Sequence, residues 1–107
     1  MYIIKNRVNG EYDRRGSSDT FHKVKRGAWN QIGHAKNHVI LRCADWDVNH
    51  KALAWYLDAD FIEIDETGTK SIVPVSEYLT QYFSESRKVK YLNATEKAKL
   101  GLEDLGV

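Results

Sequence analysis

His34 and His38 stand four residues apart in Gly33-His34-Ala35-Lys36-Asn37-His38. On a helix that spacing turns two imidazoles to the same side, where neutral rings can share a metal ion. Zinc peptidases with this spacing carry Glu directly after the first His, and Ala35 stands there instead. No third ligand adjoins the pair, so His22, His50 or Cys43 would complete a site only if the fold gathers them. The expectation is that no metal or other cofactor is bound, with a small metal-dependent hydrolase on His34 and His38 as an alternative. Asp45-Trp46-Asp47-Val48-Asn49 has the spacing of the first three calcium ligands of an EF-hand loop. The sixth position of that loop is His50 where the sharp turn needs Gly, and the twelfth is Tyr56 where a bidentate Glu belongs. The calcium reading fails, and helix capping accounts for these carboxylates.

The remaining reactive residues carry less. Cys43 needs a nearby base to act as a nucleophile, no local signature supplies one, and a buried, inert thiol is expected. Glu63 and Asp65 share one face of an extended segment, as an acid and base pair would, yet nothing basic or aromatic frames them, so they read as a solvated strand face. Asn93-Ala94-Thr95 matches a glycosylation sequon but follows no secretory signal. No catalytic residue is predicted.

Charge points toward binding. Residues 1–42 hold nine Lys and Arg against three Asp and Glu, a charge of +6, whereas residues 43–85 hold two against nine, a charge of −7. Residues 86–107 add +2, and the net charge of +1 conceals the segregation. In the basic part, Arg14, Arg15, Lys23, Lys25, Arg26 and Lys36 are the candidate phosphate contacts, and Trp29 is an aromatic that could stack on a base. The competing explanation places Trp29 in the core and Lys23 and Lys25 on the wet face of a strand. In the acidic part, Asp58, Asp60, Glu63 and Asp65 with nearby aromatics form the candidate protein-binding surface.

These residues must be positioned by one domain spanning residues 1–107, since 42% hydrophobic and 29% charged residues fit a single small globular unit. One Cys excludes an internal disulfide framework. Charges at Lys5 and Arg7 interrupt any signal-like start and no apolar run reaches membrane-span length, so a soluble, cytoplasmic protein with no membrane partner is expected. Tyr2-Ile3-Ile4 and the turn pair Asn9-Gly10 predict a hairpin with strands near 2–7 and 11–15, and residues 20–24 a third short strand. Ala28, Ile32, Ala35 and Val39, with Trp29 beside them, predict an amphipathic helix from Gly27, with Val39-Ile40-Leu41 either extending it or starting a strand. Asp47 or Asn49 caps a second helix to about 58, and residues 61–65 and 71–75 form a second hairpin in which Pro74 demands an edge or an end. Ser76 is the expected cap of a third helix, and Asn93 with Glu96 a capping box for a last one ending near Gly106. The class is α+β: an N-terminal β-hairpin, an amphipathic helix, a second β-hairpin and C-terminal helices.

Tyr2-Ile3-Ile4-Lys5-Asn6, Gly10, Arg26-Gly27-Ala28-Trp29 and the Gly33 to His38 segment together resemble a group of small bacteriophage-encoded proteins of similar size. Those open with an Ile-Lys/Arg-Asn … Gly strand pair and carry Lys-Gly-Lys-Val-Trp … Gly-His-Leu-Lys-Asn-His. Gly27, Trp29, Gly33, His34, Lys36, Asn37 and His38 match, while Ala28 and Ala35 stand in place of Val and Leu and imply a repacked helix face. The resemblance implies a phage or prophage accessory protein acting on a host component, and it transfers no catalytic residue. The sequence therefore leads to a non-enzymatic protein that binds a host or phage protein, with sequence-tolerant nucleic-acid binding through the basic segment as the alternative.

Overall fold

The computed structural model describes residues 1–13, 21–22, 28–68 and 70–102. Five strands form one antiparallel sheet in the order β3-β2-β1-β4-β5, with β1 at Tyr2–Asn6, β2 at Tyr12–Asp13, β3 at Phe21–His22, β4 at Ala59–Ile64 and β5 at Lys70–Pro74. Helices α1 (Ile32–Ala44) and α2 (His50–Leu57) separate the two central strands in sequence. Helix α3 (Val75–Ser84), a 3₁₀ helix (Arg87–Tyr91) and α4 (Ala94–Leu100) follow the sheet. The α+β class read from the sequence is the observed one.

Register places Ile4 opposite Phe61 and Asn6 opposite Ala59, so these side chains share one face of the sheet. There Ile4, Ala59 and Phe61 join Ala35 and Val39 of α1, Leu53 and Tyr56 of α2, and Leu79 and Phe83 of α3 in one core. On the opposite face Ile3, Ile62 and Ile72 align across β1, β4 and β5.

Local chemistry explains where the elements differ from expectation. The first hairpin does not turn on Asn9-Gly10 alone but through a four-residue loop, Arg7 to Gly10. The Asn6 amide nitrogen donates to the Glu11 carbonyl at 2.8 Å, and Asn6 Oδ1 accepts from the backbone N–H groups of Val8 and Asn9. Gly10 adopts a φ of 76°, which its missing Cβ permits. Helix α1 starts at Ile32, five residues later than its apolar spacing suggests, because Trp29 is spent on the sheet. Its N–H and C=O exchange hydrogen bonds with Tyr2 at 2.9 and 2.7 Å, an isolated antiparallel bridge. The helix then runs through Val39-Ile40-Leu41 to Ala44, burying Ala35, Val39 and Cys43 at intervals of one turn.

Asn49 caps α2 through Ala52 N–H. Helix α3 departs from the expected Ser76 cap: it begins at Val75, with extended Pro74 in the cap position and no side-chain cap bond. Pro74, having no N–H to donate, sits at the end of the edge strand β5, as its chemistry requires. The Asn93 and Glu96 capping box is present in full, but α4 stops at Leu100, where Gly101 takes a φ of 69°. The expected end near Gly106 lies outside the described residues.

Trp29 is 4% exposed, with its ring 5.0 Å from that of His38. Trp29→Ala is expected to cost about 3–5 kcal/mol, the usual penalty for emptying a large aromatic site in a core, measured as a lowered urea midpoint. Gly33 differs: a Cβ built there meets nothing within 4 Å. Gly33→Ala is therefore expected to raise stability by up to about 1 kcal/mol through helix propensity, seen as a higher thermal midpoint.

Candidate protein-interaction surface

The residues with the most reactive chemistry are drawn inward. Asp13 on β2 has a side chain with no exposed surface; both its oxygens lie 3.0–3.1 Å from His38 Nε2 on α1, and Oδ2 also accepts from the Tyr56 hydroxyl on α2. Burial, reinforced by the Asp13 charge, pushes the Tyr56 hydroxyl far above its ordinary range, so Tyr56 keeps its proton and donates it. Burial likewise raises the Cys43 thiol and leaves it protonated and inert, as its sequence context predicts. The cluster joins β2 to α1 and α2.

His34 does not join His38. It is exposed one turn earlier on α1, whereas Nε2 of His38 is held by Asp13. His50 lies in a separate pair, its Nδ1 2.8 Å from Glu96 of the α4 capping box. Among the described residues, no group of three His, Cys, Asp or Glu is placed to hold a metal ion. His50 and Cys43 therefore do not complete a ligand set with His34 and His38, and the side chain of His22 lies outside the described residues.

Of the basic candidates, Lys36 is half-buried, with its Nζ 5.2 Å from the centre of the Tyr78 ring. Arg14, Arg15, Lys23, Lys25 and Arg26 lie outside the described residues. The acidic candidates do not share a face. Asp60 pairs with Arg7 at 3.0 Å on one side of β4, and Glu63 accepts from the Tyr2 hydroxyl at 2.7 Å on the other. Asp58 ends α2, where its carbonyl accepts the Arg7 N–H. Asp65 lies beyond the end of β4, not paired with Glu63 on a strand face, and its Oδ1 accepts from Thr67 N–H and Oγ1. The Asp60 and Glu63 carboxylates thus join strands, that of Asp65 closes a turn, and Asp58 contributes its backbone carbonyl at a helix end.

The feature that composition and spacing did not single out is Trp46, 93% exposed in the turn between α1 and α2. The turn that carries it is pinned at both ends. Lys88 Nζ donates to the carbonyls of Ala44 and Asp45, closing the C-terminus of α1. Asn49 N–H donates to the Cys43 carbonyl at 2.7 Å, and Val48 is buried in the core. Asp45 and Asp47, both exposed, flank the ring. A signal was present in the sequence: Trp46 lies between two acids and outside every apolar periodicity, where a core Trp has no reason to be.

Strand β5 is the second exposed apolar feature. Ile72 is 60% exposed on one face and Val73 is 44% exposed on the other. Beside Val73 a shallow groove of about 210 Å³ opens on the helix side, floored by Phe61 and bounded by Tyr2, Ile32 and Glu63. A neighbouring recess of about 140 Å³ shares Phe61 and Val73 and reaches Lys36 and Glu77.

Among the described residues, no helix is long and apolar enough to cross a membrane. Comparison with protein families, with curated proteins and with solved structures finds no match to this chain.

Two measurements check the interior assignments. Tyr56→Phe removes a donor from a buried carboxylate and is expected to destabilise the fold by about 1.5–3 kcal/mol in urea titration. Cys43 is expected to resist a thiol-specific disulfide reagent in the folded protein and to react at a rate that rises with denaturant in step with unfolding. Rapid labelling without denaturant would contradict its buried position.

Proposed function

We propose that this chain is a non-enzymatic accessory protein of the phage or prophage kind that its first 40 or so residues resemble, acting in the host cytoplasm by binding a host or phage protein. The observation that carries the reading is Trp46: a fully presented indole on a turn whose backbone is fixed by Lys88, Asn49 and Val48. A free monomer gains nothing from holding a Trp in water, whereas Trp is among the residues that dominate binding energy when they enter a partner's pocket. Its turn is already ordered, so little conformational freedom remains to be lost on docking. Asp45 and Asp47 suit a pocket with an apolar floor and a basic rim, and they disfavour a phosphate backbone at the same place. The inward placement of Asp13, His38, Tyr56 and Cys43 supports binding over catalysis, since each is engaged or buried in the core.

The test is capture of partners on the immobilised protein from infected-cell lysate, with and without nuclease. A nuclease-resistant complex is expected with the wild type, and Trp46→Ala should weaken it by about 2 kcal/mol or more, as loss of an interface anchor does. The same variant should change folding stability by less than about 0.5 kcal/mol, since the ring packs against little. Trp29 and Trp55 are buried, so acrylamide quenching of the free protein reports mainly Trp46, and the complex should shield it. Capture abolished by nuclease would transfer the function to the nucleic-acid alternative.

A further inference from the structure

Strand β5 ends the sheet, and among the described residues no strand pairs with its outer side. Alternate backbone N–H and C=O groups of such a strand point outward, and proteins commonly blunt these edges with charge, proline, a bulge or a cover. Here Lys70 stands at one end and Pro74 at the other, but the three residues between them, Ser71-Ile72-Val73, carry neither. The apolar stripe Ile3, Ile62, Ile72 crosses the face opposite the helices toward this edge, and its exposure rises from 5% at Ile3 to 60% at Ile72. On the helix side, the groove floored by Phe61 runs beside Val73. An added strand would therefore find apolar contacts on both faces and a row of hydrogen-bonding groups between them.

Charge specifies the occupant. Glu63 bounds the groove and Glu77 the recess beyond it, while Asp65 and Glu66 occupy the adjacent β4–β5 turn. Against these four acids stand two cations among the described residues, Lys36, which borders the recess and lies over the Tyr78 ring, and Lys70, which begins β5 beside the turn. The edge belongs to the segment that carries −7. We propose that β5 accepts an extended cationic segment of another protein as a sixth strand, with aliphatic side chains on the Ile72 face and the alternating basic side chains on the helix side, where they meet Glu63 and Glu77. The inference rests on the reading of the chain as a protein-binding module, but it engages a surface whose test does not depend on Trp46.

The probe is a synthetic peptide of about eight residues alternating Lys and Val, followed by fluorescence anisotropy and by amide chemical shifts of β5. The peptide should bind the wild type and shift the amides of Ser71, Ile72 and Val73. Val73→Lys and, separately, Glu77→Lys should each weaken it by about tenfold, equivalent to about 1.4 kcal/mol. Both residues are exposed, and the thermal midpoint of each variant verifies folding. A peptide alternating Glu and Val, and a Lys and Val peptide N-methylated at alternate amides, should fail to bind. The proposal is overturned if the Lys and Val peptide does not bind, if N-methylation leaves its affinity unchanged, or if sedimentation shows β5 occluded by a second copy. Failure of the peptide alongside a Trp46-dependent complex would remove this inference alone. Loss of that complex with peptide binding intact would remove only the Trp46 reading.

Discussion

The attachment of the first hairpin to α2 is the constraint on which the rest of the structure depends. Strand β2 has two residues, and two short strands with a turn are marginal in water without further packing. Polar bonds supply what the ladder lacks. Asn6 Nδ2 donates to the Trp55 carbonyl, Arg7 reaches the carbonyls of Leu57 and Ala59, Trp55 Nε1 donates to Glu11, and Tyr56 donates to Asp13. Buried polar groups are costly unless paired, so a hairpin shifted by one residue would strand Asn6 and Asp13 together. The bonds therefore define register more sharply than apolar contacts could.

From this attachment follows the division of labour between interior and surface. Asp13, fixed by α2, holds His38 Nε2, and α1 is oriented so that Cys43 enters the core. Asp13, His38, Tyr56 and Cys43 are thus engaged with one another or buried in the core. Arg7, which could have added to a basic face, pairs with Asp60 and donates to the Leu57 carbonyl at the C-terminus of α2. Among the groups left accessible are two apolar features with acidic neighbours: Trp46 on its pinned turn and the β5 edge beside Glu63 and Glu77. The proposed binding through these features is favoured by rigid supports, because ordering them at the moment of binding would subtract from affinity. Trp46 and β5 are both held by the same core that α2 and β4 organise.

The segregation of charge along the chain is only partly expressed as segregation in space. Within the acidic segment, alternation along β4 sends Asp60 and Glu63 to opposite sides, and each is paired locally. Exposed acidity survives at the two turns, Asp45 to Asp47 and Asp65 to Glu66, and at Glu77 and Glu85 within and just after α3. The acidic surface is therefore divided among these places, not spread as a continuous face along β4.

Much of the fold was legible because it rests on local chemistry. The Ile-rich β1, the alternation of β4, the terminating Pro74, the Asn49 cap and the Asn93–Glu96 capping box are decided within a few residues of one another. The burial of Cys43 also agrees with the absence of any reactive signature in its neighbouring residues. Tertiary structure decided what depends on partners distant in sequence. The start of α1 was misplaced because Trp29 bonds Tyr2, 27 residues away, and a helical apolar spacing cannot reveal that its first members are committed to a sheet. His38 resembled a metal ligand until Asp13, 25 residues away, claimed its Nε2. Trp46 and β5 were not identified as surfaces because exposure depends on which groups the fold leaves uncovered, and that is fixed only when all the elements are packed.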